Sequence, residues 1–141
     1  MKIVIDSNIL FTYFWKDSYL RKILKEKLVV FFIPNYSLYE LEKYLPTLRI
    51  KAKLSEKEIR TIVEFLKEIT FFIPRGSYND SMKLIKKRIT TDPDDIDFIA
   101  LAYKLKLPLW SNDRELKNQK LIPVLNTKQI IELADEFAND K

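Results

Sequence analysis

Short apolar runs alternate along this chain with stretches of helical periodicity. Lys2-Ile3-Val4-Ile5 is a β-branched run that stops at Asp6-Ser7-Asn8, three residue types that favour helix caps. A helix is predicted from Ile9 to Phe14 and resumes from Asp17 to Leu24. Val29–Ile33 reads as a second strand, closed by Pro34-Asn35. Ser37-Leu38-Tyr39-Glu40 has capping-box spacing and opens another helix, which Pro46 is expected to interrupt. Ser55 to Glu58 is a second capping box, followed by Ile59, Ile62, Val63 and Leu66 on one helical face. Phe71–Ile73 resembles a third strand, stopped by Pro74 and Gly76, and a helix follows from Asn79 or Asp80 to about Ile89. Asp92-Pro93 places a capping acid before a proline at the first helical position, opening the apolar helix Ile96–Leu105. Leu109-Trp110-Ser111 is a short strand and Leu121–Val124 the last one. Thr127–Phe137 then closes the chain, with Ile130, Ile131, Ala134 and Phe137 on one face.

Strands that are almost wholly apolar and alternate with helices predict an α/β fold, a three-layer α/β/α sandwich around a mostly parallel sheet. In such sheets ligands gather outside the carboxyl ends of the strands. At 141 residues the chain is expected to form one domain, 1–141. The longest apolar run, Leu28–Ile33, has six residues, against about 20 for a membrane span. Met1-Lys2 leads straight into the first strand with no secretory signal pattern, so a soluble cytoplasmic protein is expected.

The missing residue types narrow the chemistry. With no Cys and no His there is no thiol nucleophile, no Ser-His-Asp triad and no imidazole or thiolate metal site. One glycine, Gly76, cannot build a phosphate-cradling glycine loop. Hard-metal catalysis through Asp and Glu survives. A net charge of +5 favours a polyanionic partner.

Four acids occupy corresponding places. Asp6 follows the first strand, Asp113 follows the Leu109–Ser111 strand, and Glu40 and Asp95 fall in the first turns of their helices. Each has a plainer explanation: Asp6 and Asp113 as caps, Glu40 as the partner of Ser37, Asp95 as a dipole-favoured first-turn acid. Four independent caps, however, need not sit at matching strand ends. At about 100° per residue, Asp94, Asp97 and Lys104 share one side of the apolar helix, while Asp95 lies with Phe98, Ile99 and Ala102. Asp97 is therefore expected on the solvated face and Asp95 turned inward, in need of a partner. Converging acids repel one another, and Mg²⁺ relieves that repulsion while activating a water. A basic protein with such a site points to phosphodiester cleavage.

The chain resembles the PIN-domain family, in particular its small VapC-like ribonucleases, over Ile3 to about Val124. An apolar strand ending in D-[ST]-N appears as Ile3-Val4-Ile5-Asp6-Ser7-Asn8, and a lone early-helix Glu as Glu40. An Asp before an Ala-rich helix appears as Asp95, and a Thr/Ser-x-Asp motif as Ser111-Asn112-Asp113. The resemblance implies a five-stranded parallel sheet and Mg²⁺ or Mn²⁺ held by Asp6, Glu40, Asp95 and Asp113, with Asn8 and Ser111 in support. It also implies RNA as substrate, frequent homodimers and an antitoxin protein as partner. Asp97 departs from the family, which usually has a non-acidic residue there.

A non-catalytic PIN-like module for RNA binding or dimerisation is the main alternative, and intact acids argue against it. A phosphatase-like hydrolase with Asp6 as nucleophile would want D-x-D, where this chain has Asp6-Ser7-Asn8. A response-regulator-like module does not account for Ser111-Asn112-Asp113. Phe11, Tyr13, Phe14 and Trp15 are expected in the core or a dimer interface, Arg49, Lys51 and Lys53 on a solvated face, and Lys86-Lys87-Arg88 in contact with a nucleic-acid backbone.

Overall fold

The computed structural model describes Met1 to Asp140; Lys141, the end of the expected 1–141 unit, lies outside the described residues. Five strands form one sheet: β1 (Lys2–Ile5), β2 (Val30–Pro34), β3 (Phe71–Ile73), β4 (Leu109–Trp110) and β5 (Val124–Leu125). Their spatial order is β3-β2-β1-β4-β5 and every pairing is parallel. Among the described residues seven α-helices accompany them: α1 (Ser7–Phe11), α2 (Tyr19–Glu26), α3 (Tyr36–Ala52), α4 (Glu56–Ile69), α5 (Asn79–Arg88), α6 (Ile96–Leu105) and α7 (Thr127–Asn139).

Side-chain alternation along the strands divides the core in two. Ile3, Ile5, Phe31, Ile33 and Trp110 bury one sheet face against residues of α1 to α4 and α7. Val4 and Leu109 point the other way, toward Tyr78, Met82 and Ile85 and the run Ile96 to Ala102 of α6. This is the expected α/β/α sandwich. Strand order reverses between β1 and β4, the switch point where doubly wound sheets open a crevice at their carboxyl edge. No helix among the described residues is long and apolar enough to cross a membrane.

Several local expectations change. α3 runs unbroken through Pro46, which removes the backbone bond to the Glu42 carbonyl. Glu42 and Pro46 are exposed, so water can serve that carbonyl, while Leu41 and Leu48 bury on either side and hold the turns together. The last strand begins at Val124 instead of Leu121. The Gln119 side chain accepts from the Leu121 and Ile122 N–H groups and donates to the Leu116 and Ile122 carbonyls, taking those backbone groups out of the sheet. On α7, Ile130 and Ala134 bury but Ile131 is exposed. The Ser55–Glu58 capping box forms in both directions. With one glycine in the chain, α2, α3 and α6 end on left-handed lysines, Lys27, Lys53 and Lys106.

Candidate active site

All four predicted acids lie on the carboxyl edge of the sheet, around the β1–β4 switch point. Asp6 leaves β1 with its N–H donating to the Trp110 carbonyl at 3.3 Å, which ties the end of β1 to β4. Its carboxylate caps α1, accepting from the Ile9 N–H at 2.8 Å, and it is only 6% exposed. Burial raises its pKa; the Ser111 hydroxyl and the Ile9 N–H pull it back, and Asp113 pushes it up again. Ser111 is fully buried and accepts from the Asp113 N–H at 3.1 Å, so it stands between two of the acids. Asp113 itself is exposed and caps a short 3₁₀ turn through the Glu115 N–H. Asn8 is exposed in the first turn of α1.

Glu40 does not form the capping box that its spacing with Ser37 predicts. α3 begins two residues earlier than that box requires, at Tyr36 instead of Leu38, and its cap residue Asn35 makes no side-chain cap. Ser37 is thereby drawn into the helix, buried, with its hydroxyl 2.9 Å from that of Ser7. The Ser7 hydroxyl also donates to Glu40 Oε1 at 2.7 Å. Glu40 is thus tied to the residue following Asp6, across 33 positions of sequence. Burial raises its pKa, Ser7 lowers it, and Asp94 and Asp6 raise it further.

Asp95 stands at the N-cap position of α6 but its side chain caps no backbone N–H. Burial, and then the charges of Asp113, Asp92, Asp6 and Glu40, push its carboxyl up to about 7. The mutual influence of these acids is the electrostatic mark of their convergence.

The expected solvated position of Asp97 is wrong. Asp97 is 1% exposed and fully engaged: Arg75 grips it with Nε at 3.0 Å and Nη2 at 2.9 Å, and the buried Tyr78 hydroxyl donates at 2.5 Å. The wheel treats α6 as having a wet side, whereas every residue from Ile96 to Ala102 is buried. Arg75 and Tyr78 arrive from the turn after β3, which one helix's periodicity cannot see. Asp97 still lies outside the group of four, as expected.

Other predicted contacts resolve more simply. Phe11 and Phe14 are core residues, and Arg49, Lys51 and Lys53 are exposed. Lys86, Lys87 and Arg88 are exposed in the last turn of α5, where cations complement the helix carbonyls.

An all-oxygen set of carboxylates suits a hard divalent cation, and Mg²⁺ typically takes one or two carboxylates directly and keeps its other waters. Among the described residues no group of three or more acids is arranged to hold an ion as it stands. The donor chemistry therefore fits a cation held by one or two carboxylates and water, with the remaining acids one layer out.

The PIN domain model matches residues 4–132. The chain belongs to the PIN domain family. A PIN-like neighbour among solved structures is a chain of VapBC2 from Rickettsia felis, crystallised bound to a DNA fragment from its promoter. It is 18% identical, with a TM-score of 0.63 over 89% of this chain and 98% of that one. No curated protein matches this chain. PIN membership fits the parallel sheet, on whose carboxyl edge the fold carries Asp6, Glu40, Asp95 and Asp113.

Proposed function

We propose that this PIN protein is a metal-dependent endoribonuclease that hydrolyses RNA phosphodiester bonds, acting in the cytoplasm. The observation that carries the reading is the convergence of Asp6, Glu40, Asp95 and Asp113 at the switch point, with Asp95 uncapped and pushed up to about 7 by burial first and by neighbouring carboxylates second. Acids crowded this way, with none of the four in a salt bridge among the described residues, are poised for a divalent cation. Bound Mg²⁺ or Mn²⁺ would supply a water of lowered pKa and positive charge for the phosphate transition state.

The chain's own residues set up that chemistry. The Ile9 N–H fixes one oxygen of Asp6, and the Ser7 hydroxyl fixes Oε1 of Glu40, leaving Glu40 Oε2 for a cation or its waters. Ser111 orients Asp6 and the segment carrying Asp113. Asn8, exposed beside Asp6, is suited to orient a water. Family membership and the likeness to a VapBC2 chain further support a toxin role, with an antitoxin protein as partner and a homodimer as the working form.

The test is cleavage of labelled single-stranded RNA with Mg²⁺ or Mn²⁺. Activity is expected to vanish with EDTA and in Asp6→Asn. A folded protein that neither cleaves RNA nor binds either cation by calorimetry would overturn the reading in favour of a non-catalytic RNA-binding or dimerisation module, which the lack of a ready-made trio of acids would then explain.

A further inference from the structure

A cavity of about 380 Å³, lined by Asn35, Tyr36, Tyr39 and Arg75, opens on the same sheet edge as the four acids, at the ends of β2 and β3. On α3, Tyr36, Tyr39, Glu40 and Lys43 fall within about 100° of one another, so the face that presents Glu40 also presents two aromatic rings and a cation. The ring centroids of Tyr36 and Tyr39 are 5.6 Å apart, and Lys43 Nζ lies 5.0 Å over the Tyr39 ring.

Tyr36 is a fixed wall. Its hydroxyl donates to Asp94 at 2.6 Å, Phe98 packs edge-on at 6.3 Å, and the Arg75 guanidinium lies 5.5 Å over its face. Arg75 is held in turn by its two bonds to Asp97, which use two of its five donors, and its side chain remains 54% exposed. Tyr39 is the opposite case, 57% exposed with no packing duty comparable to that of Tyr36. An exposed tyrosine beside a rigid aromatic–guanidinium wall is a disposition that suits a flat, apolar-faced, negatively linked ligand. Cations matter here because they add attraction for a phosphodiester that must come close to four carboxylates.

We propose that Tyr36, Tyr39, Arg75 and Lys43 form a subsite that stacks one base of a single-stranded RNA and holds its phosphate, next to the bond cleaved at the acids. The subsite rests on the nuclease reading above and gives it a binding mode: base stacking on Tyr39, phosphate contact from Arg75 and Lys43. Stacking uses the face common to every base, so the subsite favours any base over none and does not read sequence. Asp97 acts through Arg75 as its positioning residue, which accounts for a buried acid that takes no part in the group of four.

The test uses the full chain carrying Asp6→Asn, which prevents cleavage, and fluorescence anisotropy of two labelled strands: oligouridylate and an abasic ribose-phosphate strand of equal length. The Asp6→Asn protein is expected to bind oligouridylate about tenfold tighter than the abasic strand. Adding Tyr39→Ala, at an exposed position that leaves folding intact, brings the two within about twofold, while Tyr39→Phe keeps the difference. Lys43→Ala weakens both strands alike and reduces the salt dependence by about one phosphate contact. Equal binding of both strands, no RNA binding, or unchanged discrimination in Tyr39→Ala would overturn the subsite; the first two are the results expected if this cavity receives a protein. A parallel cleavage assay separates the two readings. Wild-type cleavage that EDTA abolishes and Tyr39→Ala leaves unchanged in kcat/KM defeats the subsite alone, whereas base-dependent binding with no cleavage defeats the nuclease and leaves the subsite standing.

Discussion

Asp95 and Asp97 begin the same helix two residues apart, and they live in opposite electrostatic worlds. Asp97 is the more deeply buried, yet three hydrogen bonds from Arg75 and Tyr78 satisfy it. Asp95 keeps some contact with water, yet it has no cap to make, meets four other carboxylates and is pushed up to about 7. Depth is therefore a poor guide to which acid is left unsatisfied in this molecule. The informative quantity is whether the fold supplies a partner, because a buried charge is tolerable when paired and costly when it is not. Glu40 lies between the two, with Ser7 as a donor, the charges of Asp94 and Asp6 against it and that of Lys43 in its favour.

The contrast can be broken most forcefully at Asp97. Asp97→Ala strands the fully buried Tyr78 hydroxyl and frees Arg75, and should cost about 3 kcal/mol in urea unfolding followed through the buried Trp110. Asp97→Asn is milder and, at saturating RNA, is expected to keep cleavage, as a residue outside the acid group should.

The next largest effect is in pH dependence. A folded Asp95 near 7 holds a proton between pH 4 and 7 that the unfolded chain, with its carboxyl near 3.8, has released. The native state then binds more protons than the unfolded one, so stability falls as pH rises through that window. A shift of about three units corresponds to at most about 4 kcal/mol, and solvent screening at a half-buried group reduces this to about 2. Asp95→Asn should remove that part of the slope while abolishing cleavage, and saturating Mn²⁺ should flatten it in the wild type by binding the charged form. A slope identical in wild type and Asp95→Asn would show that Asp95 is not the strained acid.

Ser7→Ala sharpens the middle case. It deprives Glu40 of its donor and Ser37 of its neighbour, which should cost about 1 kcal/mol and lower cleavage more than stability loss alone explains. Smallest of all is Lys104→Ala, which breaks the exposed pair with Asp80 between α5 and α6. No change in the urea midpoint is expected, since exposed ion pairs contribute little.

Much of this was legible in the chain. Near-continuous apolar strands such as Val30–Pro34, alternating with helices, already imply a parallel sheet with both faces covered. Asp6 and Asp113 announce themselves as acids at strand ends, and both are indeed caps. The plainer explanation for Glu40 fails in the structure, where it bonds across to Ser7; Asp95 does stand at a helix start, as its plainer explanation has it, but caps no N–H there. Local spacing misled at Ser37–Glu40 because capping boxes are defined by sequence separation, and here packing moved the helix start by two residues. It misled at Pro46 because burial of Leu41 and Leu48 outweighs a single lost backbone bond.

Periodicity and capping act over a few residues, so the order of strands and helices and the setting of four acids at one edge could be read from the chain alone. Which carboxylates are satisfied depends on how the elements pack. Arg75 reaches Asp97 across 22 positions and Ser7 reaches Glu40 across 33, and no local pattern encodes such meetings. They exist because the sheet brings the ends of β1, β2 and β3 side by side, and a charge in a protein interior is governed by whatever stands within a few ångströms of it.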